Sequence, residues 1–167
     1  TVRRRHTLLI TGPNGIGKSS LLEAMANGTE KGAVITDGVK VGYYRQDFSG
    51  LSMDKTVYQI LEEAMEAPNN QLVYSTAARF LLPGDKVQTP AGALSEGQKG
   101  LLCFARFMLQ KPTLLILDEP TNHINFRHLP VIAEALNQYE GGMIIVSHDS
   151  EFLEKIHVDE ELDLGAL

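Results

Sequence analysis

The chain has 167 residues and a mass of 18.4 kDa, room for one domain and none for a second of full size. Apolar residues make up 43% and charged residues 22%, the balance of a soluble globular domain, and no run approaches the roughly 20 apolar residues a membrane-spanning helix needs, so no membrane insertion is expected. Against 21 Asp and Glu stand 15 Lys and Arg, a formal charge of -6, which excludes a domain-wide basic field; no direct nucleic-acid binding by this domain is expected, and any such contact has to be local or made by another segment.

Val2–Arg5 is basic, but the apolar run after it stops at Gly12 with no small-residue cleavage site, unlike a signal peptide. Thr7–Thr11 reads as a buried strand ending in a glycine-rich turn, and Lys18–Asn27 as a helix closed by Gly28. Ala33–Ile35 and Val39–Tyr44 read as two strands around Asp37-Gly38, a dipeptide suited to a tight hairpin. Apolar Val57, Ile60, Leu61, Ala64 and Met65 predict a helix from Lys55 to about Ala67, and a second is expected over Gln71–Leu82, with Pro90–Gly92 as loop. A longer helix follows over Ser95–Gln110. It carries the single cysteine, Cys103, which can form neither an internal disulfide nor a Cys-rich zinc site and fits a reducing cytosol. Leu114–Leu117 and Met143–Val146 read as strands buried on both faces, with helices at Leu129–Tyr139 and near Glu151–Ile156. Strands alternating with helices predict an α/β fold with a mostly parallel open sheet flanked by helices and a small helical subdomain inserted at residues 47–93; the glycine-rich run after the first strand marks the core as a P-loop one.

Gly12-Pro13-Asn14-Gly15-Ile16-Gly17-Lys18-Ser19 matches the pattern of a phosphate-binding loop and lies between a predicted strand and a predicted helix, the context that pattern requires. Glycines let successive N–H groups curl toward one anion, and the helix N-terminus adds partial positive charge at the same point. Lys18 can reach the β- and γ-phosphates and Ser19 one Mg²⁺ position; Ser20, next in line, belongs with the nucleotide-binding run. Asp118 ends an apolar strand at the edge where open α/β sheets bind ligands, which suits it to hold Mg²⁺ directly or through water. Glu119, next to it, is the best candidate for the base that polarises an attacking water. An acid pair at a strand end also serves as a helix cap or a solvated turn; the loop pattern upstream favours the chemical role. His6, His128 and His157 show no metal spacing and read as structural or solvated, with His123 a candidate exception.

Three further segments narrow the choice. Leu94-Ser95-Glu96-Gly97-Gln98 resembles the LSGGQ signature of ATP-binding cassette (ABC) proteins, Asp118 to His123 resembles their DEPTNH run, and Ser147-His148-Asp149 resembles their SHD switch. Gln46 looks like the glutamine of their Q-loop. The motifs stand in the family's order and cover residues 7–157. An apolar residue after DEPTNH, and Glu-Phe-Leu beyond VSHD, are most similar to the ABC-F group, whose proteins carry two cassettes in one polypeptide and no membrane domain, and many of which act on the ribosome.

The resemblance implies a single cytoplasmic ABC ATPase domain, with residues 1–46 and 99–167 as the core and 47–98 as the helical subdomain ending in the signature motif. It implies ATP and Mg²⁺ as ligands, with Ser19, Gln46 and Asp118 at the metal and Glu119, His148, Gln46 and Lys18 as catalytic groups. In this family two cassettes meet head to tail, so Leu94, Ser95, Glu96, Gly97 and Gln98 would face the γ-phosphate of ATP held by a second ABC domain, in the same polypeptide or another copy. The function implied is a nucleotide-gated clamp in a ribosome-associated factor that reaches the ribosome through segments not present here. A transporter's nucleotide-binding subunit and a weakly hydrolysing ATP-dependent scaffold are the other readings left open. Three departures from the family pattern bear on these expectations: Glu96 puts a carboxylate in the signature turn, Asn125 stands where the family usually has aspartate, and the family's first strands with their adenine-stacking aromatic are absent ahead of Thr7. The last predicts weak base recognition and an exposed sheet edge.

Overall fold

Five strands form one wholly parallel sheet among the residues that the structure, a computed structural model, describes: 5–12, 39–45 and 47–164. In chain order they are β1 (Thr7–Thr11), β2 (Val41–Tyr44), β3 (Leu114–Asp118), β4 (Gly142–Val146) and β5 (Glu160–Asp163), and their order across the sheet is β2-β3-β4-β1-β5. The described helices are α1 (Val57–Glu63), α2 (Asn70–Arg79), α3 (Glu96–Gln110), α4 (Leu129–Gln138) and α5 (Ser150–Lys155). The expected helix over Lys18–Asn27, the strand Ala33–Ile35 and the Asp37-Gly38 turn lie outside the described residues.

Alternation along the strands gives the sheet two apolar faces. Leu9, Leu115, Leu117, Met143 and Ile145 point into the larger core, which also holds Phe104, Phe107, Ile132, Leu136 and Phe152. Ile10, Ile116, Ile144 and Val146 line the opposite face with Leu8, Val41 and Tyr43 packed beside them. This accounts for the unbroken apolar runs of β3 and β4, since strands covered on both sides have no polar face to show.

α3 is the pillar of the described structure. Leu101, Leu102, Cys103, Phe104, Ala105 and Phe107 are all buried, because the helix is held between the sheet and the pair α1 and α2. Full burial of each large side chain contributes about 1.5–3 kcal/mol. Its first turn is closed by a capping box in which the Gln98 N–H donates to Ser95 Oγ (3.1 Å) and the Ser95 N–H to Gln98 Oε1 (3.0 Å). It ends at Lys111, whose left-handed backbone (φ 52) stops the helix ahead of Pro112.

The structure corrects several boundaries. α1 stops at Glu63, not near Ala67, because the N–H groups of Ala64 and Met65 turn to the carbonyls three residues back and tighten the chain before Pro68. α2 starts one residue early, capped by Asn69, and ends at Arg79, three residues short of Leu82. The Pro90–Gly92 stretch, expected as loop, runs into a short 3₁₀ turn at Ala91–Ala93. The strand expected from Val39 begins at Val41, and its described partner is β3, in parallel. β5 was not expected at all.

Candidate nucleotide site

Strand register brings the carboxylates and the histidine to one edge of the sheet. Val146 on β4 lies opposite both Ile10 of β1 and Asp118 of β3, so these three residues form a row at the carboxyl ends of adjacent strands. One or two residues beyond that row come Gly12, Glu119 and His148. Gly12 has φ 144, a conformation that side chains rarely adopt and glycine tolerates. The remainder of the predicted phosphate-binding run, Pro13, Asn14, Gly15, Ile16, Gly17, Lys18, Ser19 and Ser20, lies outside the described residues, as does Gln46.

Asp118 is buried, 5% exposed, at the tip of β3. The N–H of Glu119 donates to the Val146 carbonyl (2.8 Å), carrying the β3–β4 ladder one residue further before the chain turns away through φ 47. A left-handed glutamate is strained by about 1–3 kcal/mol, a feature that concentrates at functional sites. Its side chain reaches the SHD segment: Glu119 Oε2 accepts from the His148 N–H (3.3 Å), and Oε1 lies 3.5 Å from His148 Nε2. The carboxylate side chain is 15% exposed and the imidazole 47%, so the pair is covered on the protein side and open outward.

The segment holding His148 is itself anchored. Asp149 caps α5 by accepting from the Phe152 N–H (3.1 Å), its other oxygen accepts from the Thr121 hydroxyl (3.0 Å), and its own N–H donates to Ser147 Oγ (3.1 Å). Thr121 and Ser147 are both buried. The turn after β3 and the turn after β4 are thereby tied together beneath Glu119 and His148. Sequence reasoning assigned no role to Thr121; the signal for it was a buried hydroxyl inside a polar turn, legible only once Asp149 was known to lie beside it.

Ser95 and Gln98 cap α3, and Gly97 lies so close to the turn after β3 that a Cβ there would stand 3.0 Å from the His123 carbonyl oxygen. Leu94 is buried, and the Glu96 carboxylate sits 3.0 Å from His123 Nδ1. Asn125 accepts from the Arg127 N–H (3.0 Å) and caps a 3₁₀ turn, work an aspartate would do equally well, so this departure removes charge and leaves the turn intact.

A buried carboxylate with a second one beside it, at the end of β3, supplies the hard oxygen donors that Mg²⁺ accepts. Among the described residues no three His, Cys, Asp or Glu side chains cluster to hold a metal by themselves, so Asp118 could act only with other donors. Cys103 is buried and its thiol pushed up to about 12 by desolvation, which removes it from any nucleophilic role. A cavity of about 650 Å³ lies at the opposite edge, near the starts of β3 and β4, lined among others by Arg79, Lys111, Thr113 and Tyr139; it is remote from these carboxylates. Among the described residues no helix is long and apolar enough to cross a membrane.

The fold is that of an ABC-type P-loop domain. The family model for ABC transporters matches residues 1–122, and the chain belongs to that family of ATP-binding domains. It is 37% identical over 162 residues to ABC transporter F family member 5 of Arabidopsis thaliana, covering 93% of this chain and 23% of that protein. It is 34% identical over 156 residues to elongation factor 3 of Candida albicans, covering 93% of this chain and 15% of that one. The chain thus spans less than a quarter of either relative, and within the family it is ABC-F-like. A solved Pyrococcus furiosus structure described as an ABC transporter ATP-binding protein superposes with a TM-score of 0.80 over 99% of this chain and 87% of that one; at 19% identity this likeness shows the fold alone.

Proposed function

We propose that the chain hydrolyses ATP as one half of a nucleotide-gated clamp, closing against a second ABC domain in a cytoplasmic, ribosome-associated factor. The observation that carries this reading is the Glu119–His148 pair one step beyond Asp118, on the edge where β1 runs into the phosphate-binding sequence. Residues Gly12 to Ser20 would wrap the phosphates with their N–H groups, and Lys18 would neutralise the β- and γ-oxygens. Ser19, Asp118 and Gln46 would hold Mg²⁺, which supplies charge neutralisation across the phosphates when bound. Glu119 would take hydrogen-bonded water on its outward side while His148 fixes its carboxylate and faces the γ-phosphate.

The clamp follows from differential binding. Residues Leu94 to Gln98 form a helix N-terminus that would meet a γ-phosphate presented by the second cassette, a contact ADP cannot offer. Residues 1–46 and 99–167 would then act as the catalytic core, with 47–98 carrying the signature turn. The relative named as an elongation factor supports a place in translation.

Mg²⁺-dependent ATP turnover of the intact polypeptide tests the enzyme reading. Glu119→Gln is expected to lower kcat by about 10²- to 10⁴-fold while ATP still binds, the usual contribution of a general base. Equal, slow turnover in both proteins would overturn hydrolysis and leave an ATP-dependent scaffold.

A further inference from the structure

His123 stands where three segments meet. The Glu96 carboxylate lies 3.0 Å from its Nδ1, and Gly97 is packed under its carbonyl. From the stretch after β2, the Phe48 ring rests on the imidazole with centroids 5.5 Å apart, and Phe48 is itself set edge-on to Tyr44 at 6.3 Å. One residue further, Ile124 Cδ1 and the Tyr44 hydroxyl each lie 2.8 Å from the point where Gly100 would carry a Cβ. The turn after β3 is therefore seated on the first turns of α3 on one side and on the end of β2 on the other.

Folding does not need the charged contact in this junction. The Glu96 side chain is 69% exposed and that of His123 34%, and a pair so open to water contributes little to stability. Its effect belongs to a closed state. A carboxylate in the first turn of α3 competes with an incoming phosphate for the positive end of the helix. Drawn onto an Nδ1–H of His123, the same carboxylate is turned toward the chain's own β3 turn and its charge is offset. Phe48, buried and packed against the imidazole, holds a left-handed backbone (φ 56) that bulky residues rarely adopt; the neighbours of His123 thus include one apolar ring and one carboxylate.

We propose that Glu96 is a positioning residue: by fixing the His123 imidazole it locks the turn after β3 to the signature turn, so that both meet the second cassette as one surface. This rests on the clamp reading above. In the intact polypeptide, Glu96→Ala is expected to lower kcat about fivefold, equivalent to about 1 kcal/mol at 1.4 kcal/mol per tenfold and at the upper end for so exposed a pair. The melting temperature should stay at the wild-type value, because a pair so open to water adds little to stability. Glu96→Gln keeps an acceptor for Nδ1–H and should recover most of the loss, and Glu96→Ala combined with His123→Ala should be no slower than the slower single variant. Turnover of Glu96→Gly at or above wild type, independent addition of the two single losses, or a fall in melting temperature that parallels the fall in kcat would each overturn the proposal. Glu119→Gln separates it from the clamp reading. If that variant fails to accumulate an ATP-bound closed form, the clamp itself falls; if it accumulates one while the Glu96 and His123 variants turn over as wild type, only the positioning role falls.

Discussion

Gly100 shows how much a single hydrogen matters beside the site. It lies one turn into α3, where an alanine would ordinarily stabilise the helix by up to about 1 kcal/mol. Here the added methyl would meet the Tyr44 hydroxyl and Ile124 Cδ1, both at 2.8 Å. Ile124 can give way, but Tyr44 is 1% exposed and wedged against Phe104 with ring centroids 5.1 Å apart, so it cannot. Overpacking of this kind costs about 1–3 kcal/mol, which outweighs the helix propensity. Gly100→Ala should therefore lower stability in urea unfolding, and an increase would show that the junction of β2, α3 and the β3 turn is looser than described. At this scale the sequence pointed to candidate residues and was silent about how they touch. Asp118, Glu119 and His148 could be picked out from their places at strand ends, whereas the hydrogen bond from Thr121 to Asp149 and the contact of Glu96 with His123 join residues 28 and 27 positions apart, which no local pattern encodes.

Among the elements, β3 and β4 were legible because burial on both faces leaves an uninterrupted apolar run, and α3 because its cap and its terminating Pro112 are both written in the chain. β5 was not. Glu160-Glu161-Leu162-Asp163 has neither β-branched residues nor alternation, and charged strands of this kind belong at the margin of a sheet. What holds it is pairing with β1 and the carboxylate just before it: Asp159 accepts from the Thr7 N–H (2.8 Å), and its other oxygen lies 2.9 Å from His157 Nε2. The Thr7 N–H above all, then His157, holds the Asp159 carboxyl below the ordinary carboxylate range. A carboxyl held low in the folded state adds stability that is present above its unfolded value, near pH 4, and disappears as pH falls through the lower folded value. Asp159→Asn should thus unfold more easily than wild type at neutral pH, and the difference should shrink as the solution is taken below about pH 4. A difference that stays constant across that range would separate the docking of β5 from the charge of Asp159.

For the molecule as a whole, the parallel sheet collects the ends of β1, β3 and β4 at one edge, and there Gly12, two carboxylates and a histidine lie near one another. The α/β class could be read from the alternation of strands and helices, and the position of the candidate site proposed from the rule that open sheets bind ligands beyond their carboxyl ends. The order of the strands could not, because sequence neighbours are separated in space: β1 lies between β4 and β5. The central claim is that the chain grips the phosphates of ATP through the Gly12 to Ser20 run that follows β1 in sequence, with Lys18 as its cation. Equilibrium binding of ATP to wild type, Lys18→Ala and Glu119→Gln measures it most directly. Binding is expected to be lost in Lys18→Ala and kept in Glu119→Gln; wild-type affinity in Lys18→Ala would contradict it.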